Sequence, residues 1–407
     1  MGRHRAETSD TQLRRVQVPG RRRPRRRWPL ATFAAVVLFV AGWFGWMWVH
    51  GRMVERPAAS VVNCPAGAQT VQVAVVPSIA DVIGSAAAAY NDSQPVVNDH
   101  CVRVNVSAID GQTVLTALEH GWDTSKLGPH PQAWIADSTL WANQLPAGVV
   151  SDTPQSVATS PVVLAMPPDA AKAVTSTVPP TFAALPALIA KANGWADYGE
   201  SAWGQFTVAL PNPAANTASM LAVTAMLDPA TPQGQAPVTE GLLSSGPVRQ
   251  NLDNLAAGQS TATTHDALLA LGRTEGIQGA PFSAVPTLEV DLYQRNLGGD
   301  GDAKPMNVLD EVRLAGPTPF ADFPYTPLTG GSVDQVAAAQ RFRDFLHTPG
   351  EQTQLARAGL RVANSIAHPD SSPGMDWGSA ALGPTPTDAT SYQQLIAAWM
   401  AAGQPAK

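Results

Sequence analysis

The sequence predicts an α/β fold built on parallel strands, preceded by one N-terminal transmembrane helix. Three observations predict it. Residues 71–142 alternate short apolar runs with helical stretches. Residues 28–49 form an apolar segment behind a cluster of arginines. The two cysteines, Cys64 and Cys101, each stand just ahead of a predicted strand.

Residues 1–27 carry ten arginines against Glu7 and Asp10, a net of +8. The whole chain has a net charge of −6, so everything after residue 27 sums to about −14. A basic tail beside an acidic body points to a membrane or an anionic partner. The stretch WPLATFAAVVLFVAGWFGWMWV, Trp28–Val49, is 22 residues without a charge, enough to cross ~30 Å of hydrocarbon as a helix. Trp28 at one end and Trp43, Trp46 and Trp48 at the other read as interfacial aromatics. The arginines precede the span, which puts the N-terminus in the cytoplasm and the main domain outside. WMWVHGR offers no small-residue cleavage site, so the segment reads as a retained signal-anchor. The expected location is the cell membrane, single-pass. The tail reads as a topology signal that attracts anionic lipid headgroups, with no nucleic-acid partner expected. Residues 50–69 read as a stalk.

Two cysteines on the outer side suggest one disulfide, Cys64 to Cys101. Adjacent parallel strands starting near 71 and 102 would bring them within the usual Cα separation of about 4.4–6.8 Å. Two free buried thiols are the alternative. Two cysteines and eight scattered histidines show no metal-ligand spacing; no metal and no cofactor are expected.

Along the chain, VQVAVV is a buried-type apolar run. PSIADVIGSAAAAYN is a helix, with Ser78 and Asp81 spaced as a capping box. CVRVNVSAI is the second strand. DGQTVLTALEHG is the second helix, opened by Asp110 and closed by Gly121. PQAWIAD and STLWANQL are a third strand and helix. This βαβαβ order requires a parallel sheet with right-handed crossovers. SVATSPVVLAMP (156–167) and PFSAVPTLEVDLYQRN (281–296) are extended runs. GQFTVALPNPAANTASMLAVTAML repeats strand (205–210), turn (211–216) and helix (217–227). Ser332 with Gln335, and Thr348 with Glu351, open two later helices as capping boxes.

The order of these segments, with FPYTPLTGG and AAQRFRDFLHTPGEQTQLARAGLR, resembles type II extracellular solute-binding proteins of ABC transporters over roughly residues 70–365. The resemblance is to the molybdate-type branch and to membrane-tethered modules often fused to a von Willebrand A domain. This chain contains no D-x-S-x-S motif of such a domain. The resemblance implies a two-lobed type II periplasmic-binding-protein-like domain over 64–368. Lobe 1 would be about 64–160 and 290–368, and lobe 2 about 161–289, followed by a C-terminal extension, 369–407, with an amphipathic helix. Hinge crossings would lie in Val157–Met166 and Pro281–Val290. Ligand would bind in the cleft beyond the carboxyl ends of the strands, against helix N-termini that favour anions.

Carried over by position, the ligand contacts would be Ser78; Asp110, Gly111 and Gln112; Asn216, Thr217 and Ala218; Thr287 after Pro286; and Tyr325. Asp110 departs from the small hydroxyl residues of an anion site and disfavours an oxyanion. Taken alone, Ser78 also reads as a helix cap, Asn216-Thr217 as an ordinary turn, and Tyr325 as a packed aromatic. GGDGD (298–302) lacks the spaced ligands of a calcium loop, and His265-Asp266 reads as a helix start. There is no G-x-S-x-G, P-loop, H-E-x-x-H or C-x-x-C motif, so no enzyme is expected. The reading is a membrane-anchored extracytoplasmic protein capturing a small polar solute, partnered by an ABC permease or another envelope protein. The alternative is an envelope scaffold or sensor using a degenerate solute-binding fold. In that case SYQQLIAAWMAAG, with Tyr392, Leu395, Ile396, Trp399 and Met400 at helical spacing, would dock a partner instead of packing on lobe 1.

Overall fold

In the run Val71–Val75, Val71, Val73 and Val75 are fully buried on one face and Ala74 is buried on the other, as in strands covered on both sides. The structure, a computed structural model, describes residues 64–227, 239–363, 368–379, 381, 383 and 388–402. The expected tail (1–27), membrane span (28–49) and most of the stalk (50–63) lie outside the described residues. Among the described residues, no helix is long and apolar enough to cross a membrane.

The first part of the chain runs β1 (Ala68–Val75), α1 (Pro77–Asp92), β2 (Val96–Val97), β3 (His100–Ala108), α2 (Gly111–His120), α3 (Thr124–Leu127), β4 (Ala133–Ile135), α4 (Thr139–Ala142) and β5 (Gln155–Ser156). The middle runs β6 (Ser160–Met166), α5 (Pro168–Thr175), α6 (Leu185–Ile189), α7 (Thr217–Leu227), α8 (Glu240–Leu243), α9 (Gly246–Ala257), α10 (Thr264–Gly272), β7 (Val285–Leu288), α11 (Glu289–Leu297) and β8 (Asp310–Val312). It ends with β9 (Phe320–Ala321), β10 (Pro324–Pro327), α12 (Val333–Leu346), α13 (Pro349–Arg357) and α14 (Ala389–Ala402).

Two sheets result. The first has the order β2-β3-β1-β4-β10-β5, and the second β7-β6-β8 with β9 also on β6. β1 lies parallel to β3 and β4, as the βαβαβ reading requires. Ala68 is in register with Cys101. That register brings the strand starts together, and Cys64 and Cys101 form the disulfide with a Cα separation of 5.4 Å. It closes a 37-residue separation, worth about 2–4 kcal/mol.

The chain passes between the sheets along 156–161 and 320–324, where Ser160 pairs with Ala321 and Pro161 with Phe320. Phe323, in the second crossing, is fully buried with φ +35°, a conformation that costs a non-glycine residue about 1–3 kcal/mol. This differs from the expected return crossing at 281–290. β6 has room for a neighbour on each side, and β7 and β8 both take antiparallel places there. Residues 289–312 therefore stay with the second sheet and do not join the first. The run 205–210 forms no ladder: Val208 and Leu210 make single bridges, to Ala284 and Gln259. Pro211 and Pro213 follow it and lack the donors a ladder needs.

Capping decides several helix starts. Ser332 and Gln335 make the expected reciprocal box. Thr348 does not cap; its hydroxyl donates to the Phe345 carbonyl, and Pro349 opens α13. The C-terminal helix also departs from its expected place. α14 packs on α8 and α9 of the second lobe and on α4 of the first. Tyr392, Leu395 and Trp399 are buried there, and Trp399 Nε1 donates to Gln259 at 2.9 Å. The apolar face proposed for docking is thus largely covered by the chain itself; Met400 remains exposed.

Candidate functional site

The helix α1 begins with Pro77, and the residue before it, Val76, makes no side-chain cap. Proline suits this position because its missing N–H would be unpaired in any case. Ser78 is therefore not the cap that its spacing to Asp81 suggested. It lines the same cavity as Asp291, near the start of α11 in the other lobe, and favours the charged form of that carboxyl. Asp110 does cap its helix: Oδ1 accepts from the Thr113 amide at 2.8 Å and Oδ2 from the Thr113 hydroxyl at 2.5 Å. Asn216 caps α7 through the Ser219 amide at 2.8 Å.

Ser78, Asp110 and Asn216 come together around one cavity of about 560 Å³, within the usual size of small-molecule sites. Asp81 joins them from the first lobe, and Thr264, His265, Asp291 and Asp300 from the second. The wall is acidic. Burial pushes the Asp291 carboxyl up to about 6; Asp137 and Asp300 push the same way, while Ser78 and His265 oppose. His265 faces Asp302 (2.7 Å) and Asp300 (3.5 Å). The Arg295 guanidinium, buried behind the wall, holds Asp300 at 2.7 and 2.9 Å.

A second bridge crosses between the lobes outside this cavity. Trp141 Nε1 of α4 donates to Thr217 Oγ1 of α7 at 2.8 Å, and the Thr217 hydroxyl favours the charged form of the Asp137 carboxyl, just past β4. Burial lifts Asp137 to about 6. Tyr392 of α14 covers this bridge, its ring 5.6 Å from that of Trp141 in a T-shaped arrangement. Burial likewise raises the Tyr392 hydroxyl to about 12.

The remaining expected contacts lie elsewhere. Ala218 is buried inside α7. Gly111 does not line the cavity; a Cβ there would meet Asp137 Oδ1 at an ordinary 3.6 Å. Gln112 is exposed and borders a shallow depression beside Thr116 and Lys126. Thr287 is fully buried, its hydroxyl 3.4 Å from the Leu288 carbonyl. Tyr325 is fully buried on β10, donating to the Ala339 carbonyl at 2.8 Å.

Sequence reasoning missed Thr264, His265, Asp291 and Asp300. The signals were present but ambiguous. LEVD follows a strand and puts carboxylates at a helix start, and GGDGD returns an aspartate to the same place. THD opens a helix whose capping box uses Thr263 and Asp266.

Comparison with known proteins agrees with this architecture. Two uncharacterized proteins of Mycobacterium tuberculosis, from strains CDC 1551 and H37Rv, are each 33% identical over 350 residues, or 84% of this chain. The chain spans about half the length of these curated relatives. A Trichodesmium protein in complex with iron and citrate has a TM-score of 0.56 at 9% identity, over 82% of this chain and 99% of its own. A ferric binding protein from Campylobacter jejuni gives 0.54 at 10%, over 82% and 99%. A periplasmic thiamin binding protein gives 0.51 at 14%, over 83% and 97%. At such identities the likeness concerns the two-lobed fold alone. Residues 71–361 match the family pattern of the bacterial extracellular solute-binding protein, and the chain belongs to that family.

Proposed function

We propose that this protein is a membrane-tethered receptor that captures a small polar solute between its two lobes. The observation that carries the reading is a cavity lined by helix starts of both lobes, with Ser78 and Asp110 of one and Asn216 and Asp291 of the other on its wall. Closure of two lobes on a solute explains why the wall is split between them. The tether is the uncharged segment 28–49, with the arginine tail in the cytoplasm and the binding domain outside. An ABC permease is the partner that such a receptor would serve. The molybdate-type specificity of the resembling branch fits this cavity poorly. Asp81, Asp110 and Asp291 repel an oxyanion, and no Lys or Arg stands among the described lining residues.

Calorimetry on the full chain in detergent, with cationic, neutral and anionic small solutes, tests the reading. Binding to one class, with a more compact scattering profile on saturation, is expected. No heat from any class at about millimolar ligand would overturn it.

A further inference from the structure

The cavity chemistry narrows the solute class, on the premise that the cleft binds a solute at all. Arg295 neutralises Asp300. Asp81, Asp110 and Asp291 have no Lys or Arg ion pair among the described residues. His265, the basic side chain on the wall, is engaged by Asp300 and Asp302. The excess negative charge around the cavity is thus uncompensated.

An independent feature points to a missing hydrogen-bond partner. Thr264 lines the cavity, is only 7% exposed, and its hydroxyl meets no partner among the described residues. The adjacent Thr263 hydroxyl is consumed by the capping box with Asp266. A buried hydroxyl left unpaired costs about 1–3 kcal/mol, which a ligand contact would recover. The described wall carries no Phe, Tyr or Trp, so it is not the aromatic cage that quaternary ammonium groups use. Carboxylates with a hydroxyl suit a cation that carries N–H donors, through charge-assisted hydrogen bonds.

We propose that the cleft selects a small organic cation with N–H donors, a primary amine or a guanidinium. Its charged head lies between Asp291 and Asp110 and hydrogen-bonds the Thr264 hydroxyl.

The test is calorimetry of the full chain in detergent with five probes: agmatine, putrescine, choline, glucose and molybdate. Agmatine or putrescine is expected to bind, with choline at least about tenfold weaker. Asp291→Asn and Thr264→Val are each expected to weaken the amine by about tenfold or more. Asp110→Asn is the second carboxylate variant, should Asp291→Asn fail to fold. Binding of glucose or molybdate without the amines would overturn the amine assignment and leave solute binding standing. Amine binding untouched by the variants would overturn the assigned site. No binding of any probe to a folded chain would overturn both readings.

Discussion

At one end of the interlobe contact Ser78 meets Asp291; at the other Thr217 meets Trp141 and Asp137. Both places set a hydroxyl near a helix start in one lobe beside a carboxyl of the other. They differ in what covers them. Ser78 is half-buried and borders a cavity of about 560 Å³. Thr217 is 3% exposed, and the rings of Trp141 and Tyr392 close over it. The same polar pair can therefore serve a ligand or fasten two lobes, and the neighbouring aromatic side chains decide which. A hydroxyl that a solute must reach cannot also be roofed by tryptophan.

The largest expected effect tests the fastened end. Trp141→Ala removes a side chain that is 3% exposed, and with it the Tyr392 ring contact and the bond to Thr217. A loss of about 3–5 kcal/mol in urea unfolding is expected. A loss under about 1 kcal/mol would mean that this end fastens little.

The pH dependence compares the two carboxyls directly. Asp137 and Asp291 are each lifted from 3.8 to about 6 by burial, so the native state holds their protons more tightly than the unfolded chain. Their favourable contribution is full below pH 3.8 and is lost as pH rises through about 6. Asp137→Asn and Asp291→Asn should each flatten the fall in stability over that window, by about 1–3 kcal/mol. Equilibrium unfolding at pH 4, 5, 6 and 7 measures it. A saturating cationic solute should flatten it at Asp291 more than at Asp137; equal effects would erase the distinction between the ends.

Thr217→Val keeps the shape but strands the buried Trp141 N–H. It should cost about 1–3 kcal/mol of stability. A stability change near zero with loss of solute affinity would instead make Thr217 a ligand contact.

Ser78→Ala should have the smallest effect on stability, within about 0.5 kcal/mol, because it caps nothing. Thermal melts check it. A loss above about 1 kcal/mol, as removal of a cap gives, would return Ser78 to a structural role.

How much was legible depended on how local each signal was. The βαβαβ order of 71–142 follows from apolar runs and capping residues within a few positions, and it recurs in the structure with the expected parallel pairing. Asp110 as a cap is equally local. Ser78 was misread because Pro77 opens the helix one residue earlier. The return crossing was misplaced because only pairing shows that β6 accepts both β7 and β8. Tyr325 carries no local sign that its hydroxyl is taken by the carbonyl of Ala339, fourteen residues on.

The sequence by itself determined the alternation of strands and helices, the uncharged segment before them, and the pairing of Cys64 with Cys101 through neighbouring parallel strands. These rest on periodicity, capping and strand adjacency, which act over short separations. The tertiary structure alone decided which helix starts share a cavity. It turned Asp291, far along the chain, toward Ser78 and gave Thr217 to Trp141. A contact between two lobes is fixed by how both fold, and no window of adjacent residues contains it.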